Sequence, residues 1–393
     1  MTVNFNDMKN MYDENICATY GRYPVAFVKG AGSRLWDSEG KEYVDFASGI
    51  GVNSVGHSHP KWVDAVCAQV GVLAHVSNLF YTEQGGLLAE KLTALSGTKK
   101  AFFCNSGAES VEGVIKTARK YSSDKYGANR HTIITLQGSF HGRTMAALTA
   151  TGQDKFHKHF HPFVQGFRYV PPNDFAALEA EAKAGDVCAF MFEPIMGEGG
   201  VMPLDTDYLQ KAAQLCEKND WLLIADEVQT GVGRTGKWFG FQNHGIQPDA
   251  ITFAKGIAGA LPLGGFLLGD KLHTTLGAGD HGTTYGGNPI CAAAALSVLE
   301  ILEPVLPSVT EKGTYIREKI LAMNLPCVKE IRGCGLMLGI KLDTITNTEA
   351  VSKLLAAGLV TLPAGIDILR FLPPLTISTE DIDAGLSIIK KTL

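Results

Sequence analysis

At 393 residues, 45% hydrophobic and with a formal net charge of −5, the chain is long enough for a large core and more than one domain; its charge argues against nucleic acid or an anionic membrane as the main partner. The eight cysteines (17, 67, 104, 188, 216, 291, 327 and 334) are scattered, with no CxxC pair and several inside apolar runs, which points to a reducing compartment and away from zinc. No run reaches the length of a membrane span and the first residues lack an apolar signal core, so the expected location is the cytoplasm.

Residues up to about 20 read as helical, and Gly30 to Phe46 as a hairpin with its turn at Asp37 to Gly40. Gly56-His-Ser-His-Pro60 then opens an amphipathic helix to about His75. His57 and His59 have no third ligand at a useful spacing, so a turn before a Pro-started helix is the reading, and no metal is expected. From 101 to about 268 the pattern alternates strand and helix. The strands are Ala101–Cys104, Thr132–Leu136, Val187–Phe192, Trp221–Ala225, Ala250–Ala254 and Gly265–Leu268, with helical patterns such as Tyr208–Lys218 between several of them. This predicts an α/β fold with a mostly parallel sheet between helices. After Pro304 a helix runs to about Met323, followed by antiparallel strands at Val328–Gly333 and Leu336–Leu342, a helix at Thr348–Ala357 and a last one from Thr379. The expected division is a segment 1–55 packing with the C-terminal part, a large domain 56–300 and a small α+β domain 301–393.

The chemistry sits where strands stop. Trp221-Leu-Leu-Ile-Ala breaks off at Asp226, with Glu227, Val228 and Gln229 behind it, and Ala250-Ile-Thr-Phe-Ala breaks off at Lys255. In α/β proteins such strand ends face the ligand. An acid for a heteroaromatic nitrogen and an amine for an aldehyde are what pyridoxal phosphate requires, while a surface Asp and a surface Lys are the plain competing reading. After Phe103, Ser106 and Glu109 have capping-box spacing, and Gly107 and Ala108 leave room for an anion at a helix N-terminus; an ordinary capped helix has the same pattern. Phe140 beside Arg143 in a Gly-rich loop could stack on a ring and clamp a carboxylate. Glu198 lies on a flexible turn, and Thr283 and Thr284 on a second glycine-rich loop. Arg370 stands alone in an apolar run, and a buried arginine needs an anion. Gly231-Val-Gly233-Arg-Thr-Gly236 matches a dinucleotide fingerprint, but no amphipathic helix follows and no strand ends in an acid some twenty residues on, so a turning loop is preferred to a nicotinamide site.

Taken together, Asn105-Ser-Gly-Ala-Glu109, Phe140-His-Gly-Arg143, Asp226-Glu-Val-Gln229, Lys255, Thr283-Thr-Tyr-Gly-Gly-Asn288 and Arg370-Phe-Leu-Pro-Pro374 resemble the class III, or ω-amino-acid, aminotransferases of pyridoxal-phosphate fold type I. The resemblance runs nearly end to end and implies a large domain built on a seven-stranded type of sheet with a smaller α+β domain. It implies that Lys255 holds the cofactor as a Schiff base and moves the substrate proton. Asp226 would keep the ring nitrogen protonated, with Glu227 among the cofactor contacts and Gln229 at the ring hydroxyl. Phe140 and Val228 would sandwich the ring. Ser106, Gly107 and Ala108 would bind the phosphate, joined by Thr284 from the partner of a homodimer with shared active sites.

The nearest branch of the family takes N-acetylornithine and 2-oxoglutarate as its small-molecule substrates. There Arg143, with Thr283 beside it, would grip the donor's α-carboxylate, and Arg370 that of glutamate, with Glu198 masking Arg370 in the first half-reaction. Succinylornithine, N-succinyl-diaminopimelate, ornithine and 4-aminobutyrate are the alternative donors. Many relatives carry Gln where this chain has Met196.

Overall fold

The computed structural model describes residues 4–393. The first strands, β1 (Phe27–Ala31), β2 (Arg34–Asp37) and β3 (Glu42–Asp45), form an antiparallel meander. Its β2–β3 turn is set by Asp37, whose Oδ1 accepts the N–H groups of Glu39 and Lys41, both at 2.9 Å, with Gly40 at φ +85°.

The main sheet holds β4 (Lys100–Cys104), β5 (Thr132–Leu136), β6 (Phe167–Val170), β7 (Val187–Phe192), β10 (Leu222–Asp226), β11 (Ala250–Phe253) and β12 (Gly264–Leu268), in the order β4-β12-β11-β10-β7-β5-β6. Only β12 runs antiparallel to its neighbours. Between β7 and β10 a short hairpin, β8 (Ile195–Met196) with β9 (Met202–Pro203), stands off the sheet. The apolar runs are continuous because both faces are covered. Along β10, Leu223 and Ala225 enter one core cluster while Leu222 and Ile224 enter the other. The Gly107–Tyr126 helix covers the second face with Val111, Val114, Ile115 and Ala118, and the Thr206–Asn219 helix covers the first with Tyr208, Leu209, Ala212 and Leu215. Each fully buried leucine of this kind contributes roughly 2 kcal/mol.

The C-terminal sheet comprises β13 (Val328–Cys334), β14 (Met337–Leu342), β16 (Leu362–Ala364) and β17 (Ile368–Phe371), in the order β13-β14-β17-β16. β15 (Leu359–Val360) leaves this sheet and pairs in parallel with β3, so the first and last parts of the chain share a sheet.

Two local expectations are corrected, and one strand of the main sheet was missed. The first helix spans only Phe5–Asn15; it buries no side chain, so nothing tertiary extends it to residue 20. The helix opened by Pro60 ends at Val70, five residues early, where Gly71 follows and Val72 and Leu73 turn to the surface. Strand β6 was not foreseen. It is an edge strand whose apolar pattern is broken by Arg168, and that guanidinium meets both carboxylate oxygens of Asp186 at 2.8 Å.

Candidate active site

Five loops at the carboxyl ends of β4, β5, β7, β10 and β11 converge on one cavity of about 380 Å³. Among its lining residues are Asp226, Lys255, Phe140, Val228, Gln229 and Arg143.

Asp226 closes β10 and is 3% exposed. Its Oδ1 accepts the Thr252 hydroxyl at 2.8 Å and the Val228 N–H at 3.1 Å. Its Oδ2 stands 2.7 Å from Nδ1 of His141, whose side chain is wholly buried. With Asp226 ionised, that nitrogen carries the proton, and the opposite ring nitrogen, Nε2, is buried without a partner. Neither His141 nor Thr252 was singled out from the sequence. The pairing needs β10 and β5 to lie two places apart in the sheet, which chain order does not reveal.

Lys255 follows β11 in a left-handed conformation, φ +45°. Burial is the main influence on its amine and holds it below the ordinary lysine range; Arg370 adds to this, while Glu198, Asp226 and Glu193 oppose it. An amine shifted this way is more readily a nucleophile and a base.

The Gly107–Tyr126 helix presents its N-terminus to the cavity. Ser106 caps it by accepting the Glu109 N–H at 3.2 Å, and the Glu109 carboxylate reaches back to the backbone and side-chain amides of Asn105 rather than to Ser106 itself. A Cβ on Gly107 would stand 2.8 Å from Cγ1 of Val228, so only glycine leaves the space between them open. This makes an anion cradle at the positive end of a long helix.

Arg143 is exposed and has no acid partner among the described residues. Its guanidinium lies 4.0 Å from the ring centre of Phe156 and 5.5 Å from that of Phe140, and the two rings meet edge to face at 5.9 Å. Phe156 carried no signal in the sequence; it sits in a short turn, Asp154–Phe156, that only the fold brings to the β5 loop. Glu193 ties that loop down. Its carboxylate accepts the Phe140 N–H at 2.9 Å and the Gly197 N–H at 3.3 Å, and burial pushes it up to about 7.

Arg370, on β17, is 2% exposed. Its Nη1 donates to Oε1 of Glu198 at 2.8 Å and to Oε1 of Gln229 at 3.1 Å, while its Nε has no partner. The lone arginine of an apolar run thus has its anion, supplied by the β8–β9 hairpin.

Other singled-out residues lie elsewhere. Glu227 is not among the residues lining the cavity; its carboxylate accepts the hydroxyl of Thr230 and the N–H groups of Gly240 (2.8 Å) and Phe241 (2.7 Å) and anchors their loop. Thr283 accepts the side-chain amide of Asn105 at 3.2 Å, and Thr284 is exposed, away from this chain's own cavity. The Gly231–Gly236 loop starts no helix; it carries Arg234, 2% exposed, to the carbonyls of Leu336 (2.9 Å) and Pro373 (2.6 Å). His57 is engaged with Asp45 at 2.8 Å.

Residues 16–393 match the family model for class-III aminotransferases. An acetylornithine aminotransferase of Haemophilus ducreyi is 48% identical over 391 residues, covering 99% of both chains. Among solved structures, the ornithine aminotransferase of Toxoplasma gondii ME49 superimposes with a TM-score of 0.95 at 31% identity, covering 99% of this chain and 95% of that one. The acetylornithine aminotransferase of Elizabethkingia anophelis gives 0.88 at 32% identity, with 99% of each chain covered.

An amine, a buried acid, a flat aromatic, an aliphatic side chain and an anion cradle surround one cavity, and a Cβ at Gly107 would fill part of that cradle. The residues present fit a planar aldehyde-bearing pyridine phosphate.

Proposed function

The chain belongs to the class-III aminotransferases, and on that premise we propose that it transfers the δ-amino group of N2-acetyl-L-ornithine to 2-oxoglutarate, giving N-acetyl-L-glutamate 5-semialdehyde and L-glutamate, a step of arginine biosynthesis. One observation carries the substrate pair: Arg143 lines the cavity with no acid partner among the described residues, and Arg370, masked by the Glu198 carboxylate, is held against Gln229 of the cavity wall. Arg143 is read as the site for the α-carboxylate of the acylated donor, and Thr283, bonded to Asn105 of the cavity wall, as a further donor-binding residue. Arg370 is read as the site for the α-carboxylate of glutamate, with Glu198 as its removable cover. A donor with one carboxylate leaves the pair closed and a dicarboxylate opens it, so two substrates of different charge share a site.

The cofactor is pyridoxal phosphate, which when bound supplies an aldehyde for the substrate amine and a ring that withdraws electrons from the adjacent carbon. In this reading Ser106, Gly107 and Ala108 hold its phosphate, Phe140 and Val228 hold its ring faces, Gln229 faces its ring oxygen, and Asp226 holds a proton at its ring nitrogen. His141 keeps the Asp226 carboxylate oriented and compensated. Nζ of Lys255, its charge disfavoured by burial, takes the proton from the carbon bearing the amine and delivers it again when the amine has moved.

We read the working form as a homodimer in the cytoplasm, with Thr284 reaching the partner's phosphate site. Support comes from an exposed apolar stretch, with Val72 80%, Leu79 86%, Phe80 68% and Tyr285 65% exposed. All eight cysteines are free, and no single helix among the described residues is long and apolar enough to cross a membrane. Of the expected segment 1–55, the strands β1–β3 are read as packing with a small domain 301–393 beside a large domain 56–300, which the β3–β15 pairing supports.

The test is the visible spectrum of the purified protein with N-acetylornithine and no oxo acid. The cofactor band is expected to convert to the aminated form, faster than with succinylornithine, ornithine or 4-aminobutyrate. A band that persists with N-acetylornithine and converts with another donor overturns the substrate assignment.

A further inference from the structure

Glu198 rides on a loop that the C-terminal sheet grips at more than one point. On β14, Gly339 is the cross-strand partner of Arg332 on β13 and of Arg370 on β17. Residues opposed in this way share a sheet face, so the two guanidinium groups rise on either side of a residue with no side chain. Into that gap comes the hairpin loop: a Cβ on Gly339 would lie 2.7 Å from Cβ of Val201. Arg370 takes the Glu198 carboxylate at 2.8 Å. Arg332 takes the Gly200 carbonyl twice, through Nε at 2.9 Å and Nη2 at 2.6 Å, and no acid pairs with it among the described residues. The Gly365 N–H adds a bond to the Glu198 carbonyl at 3.0 Å.

We propose that Arg332 is a positioning residue of the substrate switch: by holding Gly200 it fixes the loop tip, so that Glu198 leaves Arg370 and returns as a side-chain movement on a stationary backbone. This rests on the reading of Glu198 as the cover of Arg370. When a substrate carboxylate displaces Glu198, the ion pair no longer ties the loop to the sheet, and the two bonds from Arg332 remain beside the Gly365 bond to the Glu198 carbonyl. Without the Arg332 bonds the Gly200 end of the tip is loosened, and closing the cover again carries the entropy of reordering it. Arg332 therefore biases the site toward its closed state, the state that accepts a donor without a second carboxylate near Arg370.

The experiment compares Glu198→Ala, Arg332→Gln, the double variant, Arg332→Lys and Gly339→Ala as cofactor-loaded enzymes. Each half-reaction is followed in single turnovers, and glutarate binding is followed by calorimetry, which needs no turnover. Glu198→Ala and Arg332→Gln are each expected to lower the ratio of kcat/KM for N-acetylornithine to kcat/KM for glutamate by roughly tenfold, the scale of one charge-assisted bond, and to tighten glutarate. The double variant is expected to match Glu198→Ala, because a loop that carries no cover has nothing to position. Arg332→Lys, which keeps one donor, is expected to shift the ratio by less. Gly339→Ala pushes Val201 with Arg332 intact and is expected to move the ratio the same way, which keeps the test available if Arg332→Gln does not fold. An unchanged ratio in Glu198→Ala overturns the masking reading itself. A shifted ratio there with equal losses in both half-reactions for Arg332→Gln, or with additive losses in the double variant, overturns only the role of Arg332.

Discussion

His141 and Asp226 meet at 2.7 Å with neither side chain reaching solvent to any extent that matters, 0% and 3% exposed. A buried carboxylate is tolerated when its lone pairs are met, and here an imidazole, a hydroxyl and a backbone N–H meet them. Replacing His141 with Ala removes the imidazole and leaves the carboxylate less fixed and less compensated. The expected outcome is a loss of cofactor affinity of roughly 10- to 100-fold, the scale of a hydrogen bond to a charged group, read by equilibrium dialysis of the cofactor. Unchanged affinity with lowered Tm would assign His141 to packing alone.

Asp226 and Lys255 were legible because a parallel strand buried on both faces is an apolar run, and the residue that ends it stands out. Arg370 was legible for the opposite reason, as one charge inside such a run. His141, Phe156 and Arg332 were not, since their roles follow from spatial neighbours: β5 near β10, a turn near the β5 loop, and β13 beside β14 beside β17. The partners of the Glu227 carboxylate, at Thr230, Gly240 and Phe241, likewise follow from the folded loop and carry no signal in chain order.

The Gly107 position tests the anion cradle. Gly107→Ala is expected to weaken cofactor binding by roughly tenfold, because overpacking of this kind typically costs 1–3 kcal/mol and the new methyl would sit 2.8 Å from Cγ1 of Val228. Gly107→Ala with Val228→Ala relieves that contact and is expected to recover part of the loss. Titration of each apoprotein with the cofactor, followed by its visible band, checks both. If the double variant binds worse than Gly107→Ala alone, the contact is not the cause.

Glu193 gives a pH dependence with a fixed sign. Burial raises its carboxyl from the ordinary 4.5 to about 7, so between those values the folded chain holds a proton that the unfolded chain has released. The contribution of the protonated acid is complete below 4.5 and is lost as the pH rises through 7. Thermal unfolding of the apoprotein from pH 4 to 8 is therefore expected to show wild type losing Tm relative to Glu193→Gln across that window. A constant difference between the two would mean that folding leaves the Glu193 carboxyl unshifted.

Arg143 has no acid partner among the described residues, and two rings hold it in place of one. The nearer ring, Phe156, lies 4.0 Å from the guanidinium carbon and itself meets Phe140 edge to face, so the cation is oriented by a surface that competes for none of its N–H groups. That arrangement keeps the full fork free for a carboxylate. Arg143→Ala is expected to weaken use of N-acetylornithine far more than use of glutamate. Phe156→Leu retains apolar bulk and removes only the ring face, an interaction of roughly 0.5–2 kcal/mol. Its expected effect is a rise of roughly 2- to 30-fold in KM for N-acetylornithine, on the same scale, with kcat little changed and the glutamate half-reaction close to wild type. Steady-state kinetics with each donor decide it. A Phe156→Leu enzyme that loses kcat with both substrates equally would place the ring in the support of Phe140, and the orientation of Arg143 would need another source.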